Sequence, residues 1–122
     1  MTNLLVRALR GATTVSNDDA EEIAVATREL LVAMLESNDI DHEDIISVFF
    51  TTSPDLTAAF PAAAARGIGF QTVPLICASE IAVPGAKPLC IRVMMHAYSS
   101  RSRADIRHVY LRDAQNLRDD LR

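Results

Sequence analysis

The clearest patterning lies between Cys90 and Tyr98, where the apolar Ile91, Val93 and Met95 alternate with Arg92, Met94 and His96. A period of two predicts a half-buried strand, with Cys90, Arg92, Met94, His96 and Tyr98 on one side. A helical period comes earlier. Ile23, Thr27, Leu30, Leu31, Met34 and Leu35 fall on one face, which predicts a helix packed on a core. Asp18 and Glu21 have the spacing of a capping box at its start, and Ser37-Asn38-Asp39 marks its end.

Further strands are predicted over Leu4–Leu9, Ile45–Thr51, Thr72–Ala78 and Ile106–Leu111, with Gly11-Ala-Thr-Thr14 breaking the first. In the last of these, Ile106, His108 and Tyr110 would share a face. Asp41–Asp44 reads as a single turn and Ser53-Pro54-Asp55 as another. Pro61 suits the first position of a short helix through Ala62–Ala65, closed by Gly67. Ser99–Asp105 is polar and is expected to be a mobile loop. The order β-α-β-α-β-β-β predicts an α+β fold, a mixed sheet with helices on one face. Residues 1–122 suffice for one domain without disulfides or metal.

Composition adds two points. The chain is 49% hydrophobic, which favours an oligomer that covers the uncovered sheet face. The net charge is -4 with no basic block, which argues against nucleic acid. The apolar start Leu4-Leu5-Val6 is interrupted by Arg7 and Arg10, too short for a signal peptide or membrane span. Cys77 and Cys90 lack metal-ligand spacing, so reduced thiols and a cytoplasmic location are expected.

Arg92 is the strongest chemical signal. A guanidinium inside a buried-looking strand costs several kcal/mol to desolvate unless an anion meets it. No acid lies in its own run, so the partner is another segment or a ligand. Arg10 and Glu80 sit just past predicted strand ends, where a rigid sheet positions ligand groups. There is no Gly-x-Ser-x-Gly elbow and no glycine-rich phosphate loop. His42, Glu43 and Asp44 read as solvated residues of a turn, and no metal site is expected.

Several blocks together resemble a known family. They are Arg7-Ala-Leu-Arg-Gly-Ala-Thr-Thr-Val15, Thr52-Ser-Pro-Asp-Leu56, Phe60-Pro-Ala62, Val73-Pro74 with Cys77 and Glu80, and Cys90-Ile-Arg-Val-Met-Met95. Ile106-Arg-His-Val-Tyr-Leu111 and Leu117-Arg118 with Asp120-Leu121 complete the set, in order along nearly the whole chain. The chain thereby resembles the small monofunctional trimeric chorismate mutases, as distinct from the all-helical class. The resemblance implies rearrangement of chorismate to prephenate, on the route to phenylalanine and tyrosine, without a cofactor. It implies a homotrimer with a pseudo α/β-barrel core and sites in the clefts between subunits.

By the same resemblance, Arg92, Arg10, Glu80 and Tyr110 are the catalytic set, with Cys77 from the same subunit. The resemblance makes Cys77 a substrate-binding residue together with Phe60 and Arg66 from the neighbour and Leu117 and Arg118 from a mobile C-terminal tail at 112–122. Three positions depart from the family pattern: Ala63 where a Lys is frequent, Ile76 in place of a small polar residue, and Phe70 in place of Trp. The alternative reading is a non-catalytic trimeric binding protein for a small cyclic dicarboxylate, and a third is another enzyme acting on such a ligand.

Overall fold

The computed structural model describes residues 4–117. In chain order the elements are β1 (Leu5–Thr14), α1 (Ala20–Asn38), β2 (Ile45–Thr52), α2 (Pro61–Arg66), β3 (Leu75–Ser79), β4 (Cys90–Ser99) and β5 (Val109–Tyr110). Short 3-10 turns cover His42–Asp44, Arg103–Asp105 and Arg112–Asn116. The five strands form one mixed sheet in the order β3-β2-β4-β1-β5. β4 is central and antiparallel to both β1 and β2, while β3 and β5 join the flanks in parallel.

The helices and the main core lie on one face. Leu9 of β1, Val48 and Phe50 of β2, and Val93, Met95 and Ala97 of β4 pack against Leu30, Leu31 and Met34 of α1 and Ala62 and Ala65 of α2. The outer-facing residues of the sheet include Val6 of β1, Phe49 of β2, Ile76 of β3 and Tyr98 of β4, all exposed. The alternation read along Cys90–Tyr98 is therefore the division between these two faces, except that Cys90 at the strand's end is itself buried.

Gly11 does not break β1. A Cβ there would sit 2.6 Å from Met34 Sδ and 3.1 Å from Leu30 Cδ1, so the missing side chain lets α1 lie close on the strand. The helix cap is one residue later than Asp18. Asp19 accepts from the Glu22 backbone N–H at 3.0 Å, and the Glu22 carboxylate accepts in return from the Ser16 N–H at 3.0 Å. Asp18 instead ties two loops together, accepting from the Thr57 N–H (2.9 Å), the Thr57 hydroxyl (2.8 Å) and the Ala58 N–H (3.0 Å).

β3 begins at Leu75 because Pro74 has no N–H for the ladder; its carbonyl accepts from Val48 N at 3.0 Å. β5 is shorter than Ile106–Leu111 because side chains satisfy the preceding backbone. Asn38 accepts from Arg107 N (2.7 Å) and donates to Arg107 O (2.9 Å), while His108 Nδ1 accepts from Arg10 N (2.9 Å). Ile106, Val109 and Leu111 pack toward the core and Tyr110 toward the other side, so Ile106 and Tyr110 do not share a face. The segment after β4 is tied down at Arg101, which reaches Ser37 O at 2.9 Å and Asp39 at 2.7 Å.

Candidate active site

Each residue of the site arrives by strand register. Arg92 of β4 lies opposite Ala12 of β1 and Thr51 of β2, and Arg10 lies opposite Met94. In antiparallel pairs, opposed residues share a face. Arg10, Arg92, Met94, Phe49 and Thr51 therefore all face away from the helices. Tyr110 joins them because β5 pairs Tyr110 with Ala12. Glu80 follows β3 directly and is fixed by its N–H donating to Thr52 O at 2.8 Å.

Arg10, Phe49, Thr51, Glu80, Arg92, Met94, Tyr110 and Leu117 surround a cavity of about 170 Å³. Its walls supply two guanidiniums and one carboxylate, a local positive excess in an acidic chain. Glu80 Oε1 accepts from the Thr51 hydroxyl at 2.6 Å and lies 3.8 Å from Arg92 Nε. The latter is an ion pair but too long for a hydrogen bond. Arg92 Nε and the Tyr110 hydroxyl are both buried and have no hydrogen-bond partner among the described residues. A buried donor left in this state costs about 1–3 kcal/mol, so the site holds binding capacity that the protein itself does not use. Among the described residues the Arg10 side chain likewise makes no ion pair.

Four residues singled out from the sequence, Arg10, Glu80, Arg92 and Tyr110, thus meet at one place with Leu117. Others do not. Phe60, 73% exposed, and Cys77 line a separate hollow of about 350 Å³. Cys77 packs toward the core because it alternates with the outward Ile76. Arg66 is exposed at the end of α2, and Arg118 lies outside the described residues. Ala63 is exposed on α2, whereas Phe70 is fully buried with its ring edge-on to His42 at 5.2 Å. Cys90 borders Arg92; burial pushes its thiol up, and the nearby guanidinium opposes this more weakly. It is a packed neutral thiol and not a nucleophile.

Thr51 and Phe49 escaped sequence reasoning. Both look like ordinary strand residues, and only the β2–β4 register shows that they flank Arg92 and Met94. No group of three His, Cys, Asp or Glu side chains among the described residues is placed to hold a metal ion. No helix among them is long and apolar enough to cross a membrane.

A site with spare cationic and hydroxyl donors, a fixed carboxylate and no evident nucleophile suits recognition of an anionic ligand more than covalent catalysis. Known proteins resemble this chain over nearly its whole length. Residues 6–121 match the family model described as chorismate mutase type I. The chain is 51% identical over 118 residues to chorismate mutase AroH of Thermus thermophilus, covering 96% of this chain and 97% of the relative. It is 43% identical over 119 residues to chorismate mutase AroH of Bacillus subtilis (strain 168), covering 97% and 94%. The solved structure of chorismate mutase from Clostridium thermocellum superposes with a TM-score of 0.87 at 51% identity, covering 88% of this chain and 96% of that one. With matches of this extent to sequence and fold alike, the chain belongs to the type I chorismate mutase family.

Proposed function

We propose that the cavity between Arg10 and Arg92 is where this chorismate mutase turns chorismate into prephenate. The observation that carries the assignment is the pair of buried, unpartnered donors, Arg92 Nε and Tyr110 Oη, on the walls of one cationic cavity.

Chorismate presents two carboxylates, a ring hydroxyl and an enol ether. The rearrangement breaks the ether C–O bond and forms a C–C bond within the molecule. No proton is transferred and no covalent intermediate forms. The site must hold the side chain over the ring and stabilise negative charge on the ether oxygen as the C–O bond opens. Arg92 donates from Nε to that oxygen, at a position where no acceptor among the described residues lies within hydrogen-bond range of that nitrogen. Arg10 and the Tyr110 hydroxyl bind the side-chain carboxylate, a charge-assisted contact that sets orientation. Glu80 accepts from the ring hydroxyl, and Leu117 packs on the ligand's apolar portion. Each contact that strengthens only as charge develops raises kcat, whereas those equal in both states govern KM.

One protomer makes an incomplete enclosure. The cavity of about 170 Å³ is smaller than the roughly 300–1,000 Å³ usual for small-ligand sites. Val6, Phe49, Ile76 and Tyr98 expose an apolar sheet face beside it. A homotrimer with sheets facing inward as a pseudo-barrel covers that face, and Phe60 and Arg66 of a neighbouring protomer close the cleft. Arg118, outside the described residues, is assigned to the ring carboxylate by the family resemblance alone. Cys77 contributes through the course of β3 toward Glu80 and not through its thiol. In this reading residues 1–122 act as a single domain, and the enzyme works in the cytoplasm.

The purified protein is expected to consume chorismate, followed as loss of its absorbance, with no metal or nucleotide added. Absence of turnover above the spontaneous rate rejects the assignment. An active species that elutes as a monomer rejects the shared cleft.

A further inference from the structure

We propose that Thr51 is a positioning residue for the Glu80–Arg92 pair, holding one carboxylate oxygen so that Arg92 Nε stays free for substrate. The inference rests on the Arg10–Arg92 cavity being the site of rearrangement. Thr51 lies opposite Arg92 across β2–β4 and opposite Ala78 across β2–β3, directly beneath the approach to Glu80. Its hydroxyl donates to Glu80 Oε1 at 2.6 Å. That same oxygen stands 3.8 Å from Arg92 Nε, so the ion pair is held just short of a hydrogen bond.

The geometry is a competition for one acceptor. Glu80 is anchored at its backbone by Thr52 O, so its side chain reaches both Thr51 and Arg92. A charge-assisted contact between guanidinium and carboxylate is the stronger of the two available bonds. Without the hydroxyl, Oε1 moves onto Arg92 Nε and satisfies the donor that otherwise waits for the ether oxygen. With it, Oε1 is held 3.8 Å from Nε, Nε has no hydrogen-bond partner among the described residues, and Oε2 is left for the ligand's hydroxyl. Thr51 therefore acts through Glu80 and Arg92 and touches no reacting atom.

Thr51→Val keeps the branched shape and strand preference but deletes the donor. Its kcat is expected to fall about tenfold, equivalent to about 1.4 kcal/mol. KM should stay within about threefold, because Arg10 and Tyr110 still bind the substrate carboxylate. Thr51→Ser restores the hydroxyl and should recover kcat to within about threefold of wild type. A Val variant with wild-type kcat, a Ser variant as slow as Val, or a change confined to KM each overturns the proposal. Glu80→Ala separates the two levels. If it turns over normally, the cavity is not the site and both readings fall. If it is slow while Thr51→Val is normal, the role of Thr51 alone falls.

Discussion

Replacing Arg92 with Lys tests the electrostatic role while keeping the charge. Arg92 Nε is a buried donor on the cavity wall with no hydrogen-bond partner among the described residues. In Lys a methylene occupies the place of Nε, and one ammonium replaces the planar fork. The ammonium is also free to settle on Glu80, which already stands 3.8 Å from Nε. Loss of one preorganised donor to a developing oxyanion costs about 2.7–4 kcal/mol, or about 10²–10³ in kcat. The expected result is therefore a kcat at least about 100-fold below wild type. KM should change far less, since Arg10 and Tyr110 are untouched. The assay is chorismate absorbance at several concentrations, with size-exclusion chromatography to show that assembly is unaltered. A Lys variant within about tenfold of wild-type kcat would refute the reasoning, because charge alone would then suffice.

Two further predictions concern the frame of the site. Asn38 is 1% exposed and joins the end of α1 to the backbone of Arg107. Asn38→Ala removes bonds worth about 1 kcal/mol each, so a loss of about 2–3 kcal/mol is expected. For a chain of this size that is about 10 °C in Tm, measured at equal protomer concentration; a shift under about 3 °C contradicts the role. Asp18 has its carboxyl pKa lowered below 3.8, first by the Thr57 hydroxyl and then by the Thr57 N–H. A depressed folded-state value means that this contribution is present above the unfolded pKa and is lost as pH falls through the folded one. Asp18→Asn should be less stable than wild type in urea at pH 6, with the gap closing below about pH 3.8; a gap that is constant with pH rejects the linkage.

Arg92 could be read from the chain because β4 keeps two faces of different chemistry, whereas grouping it with Arg10, Glu80 and Tyr110 took the family resemblance. One guanidinium on the less buried face stood out against Ile91, Val93 and Met95. Other features resisted reading for identifiable reasons. A glycine in a strand signals either an interruption or a close approach, and only the position of Met34 decides for Gly11. Asp18 has the spacing of a cap, but its carboxylate is taken by Thr57 and Ala58 from a distant loop, which leaves the role to Asp19. The lateral sheet order depends on pairings between distant segments, so the juxtaposition of Thr51 with Arg92 has no local trace. Phe60 and Arg66 stand apart from Arg92 within one protomer, and nothing in their own segment tells where a second chain would carry them.

The register of β1 has a consequence for biogenesis. Residue 5 pairs with residue 99 and residue 14 with residue 90. During synthesis the first strand leaves the ribosome long before its partner exists. Its exposed Leu4, Leu5 and Val6 must meanwhile stay out of unwanted associations. Such distant closures are slow relative to local ones. Arg10 and Arg92 can meet only after the segment carrying Arg92 has itself left the ribosome, so translation products truncated before it should be inert toward chorismate.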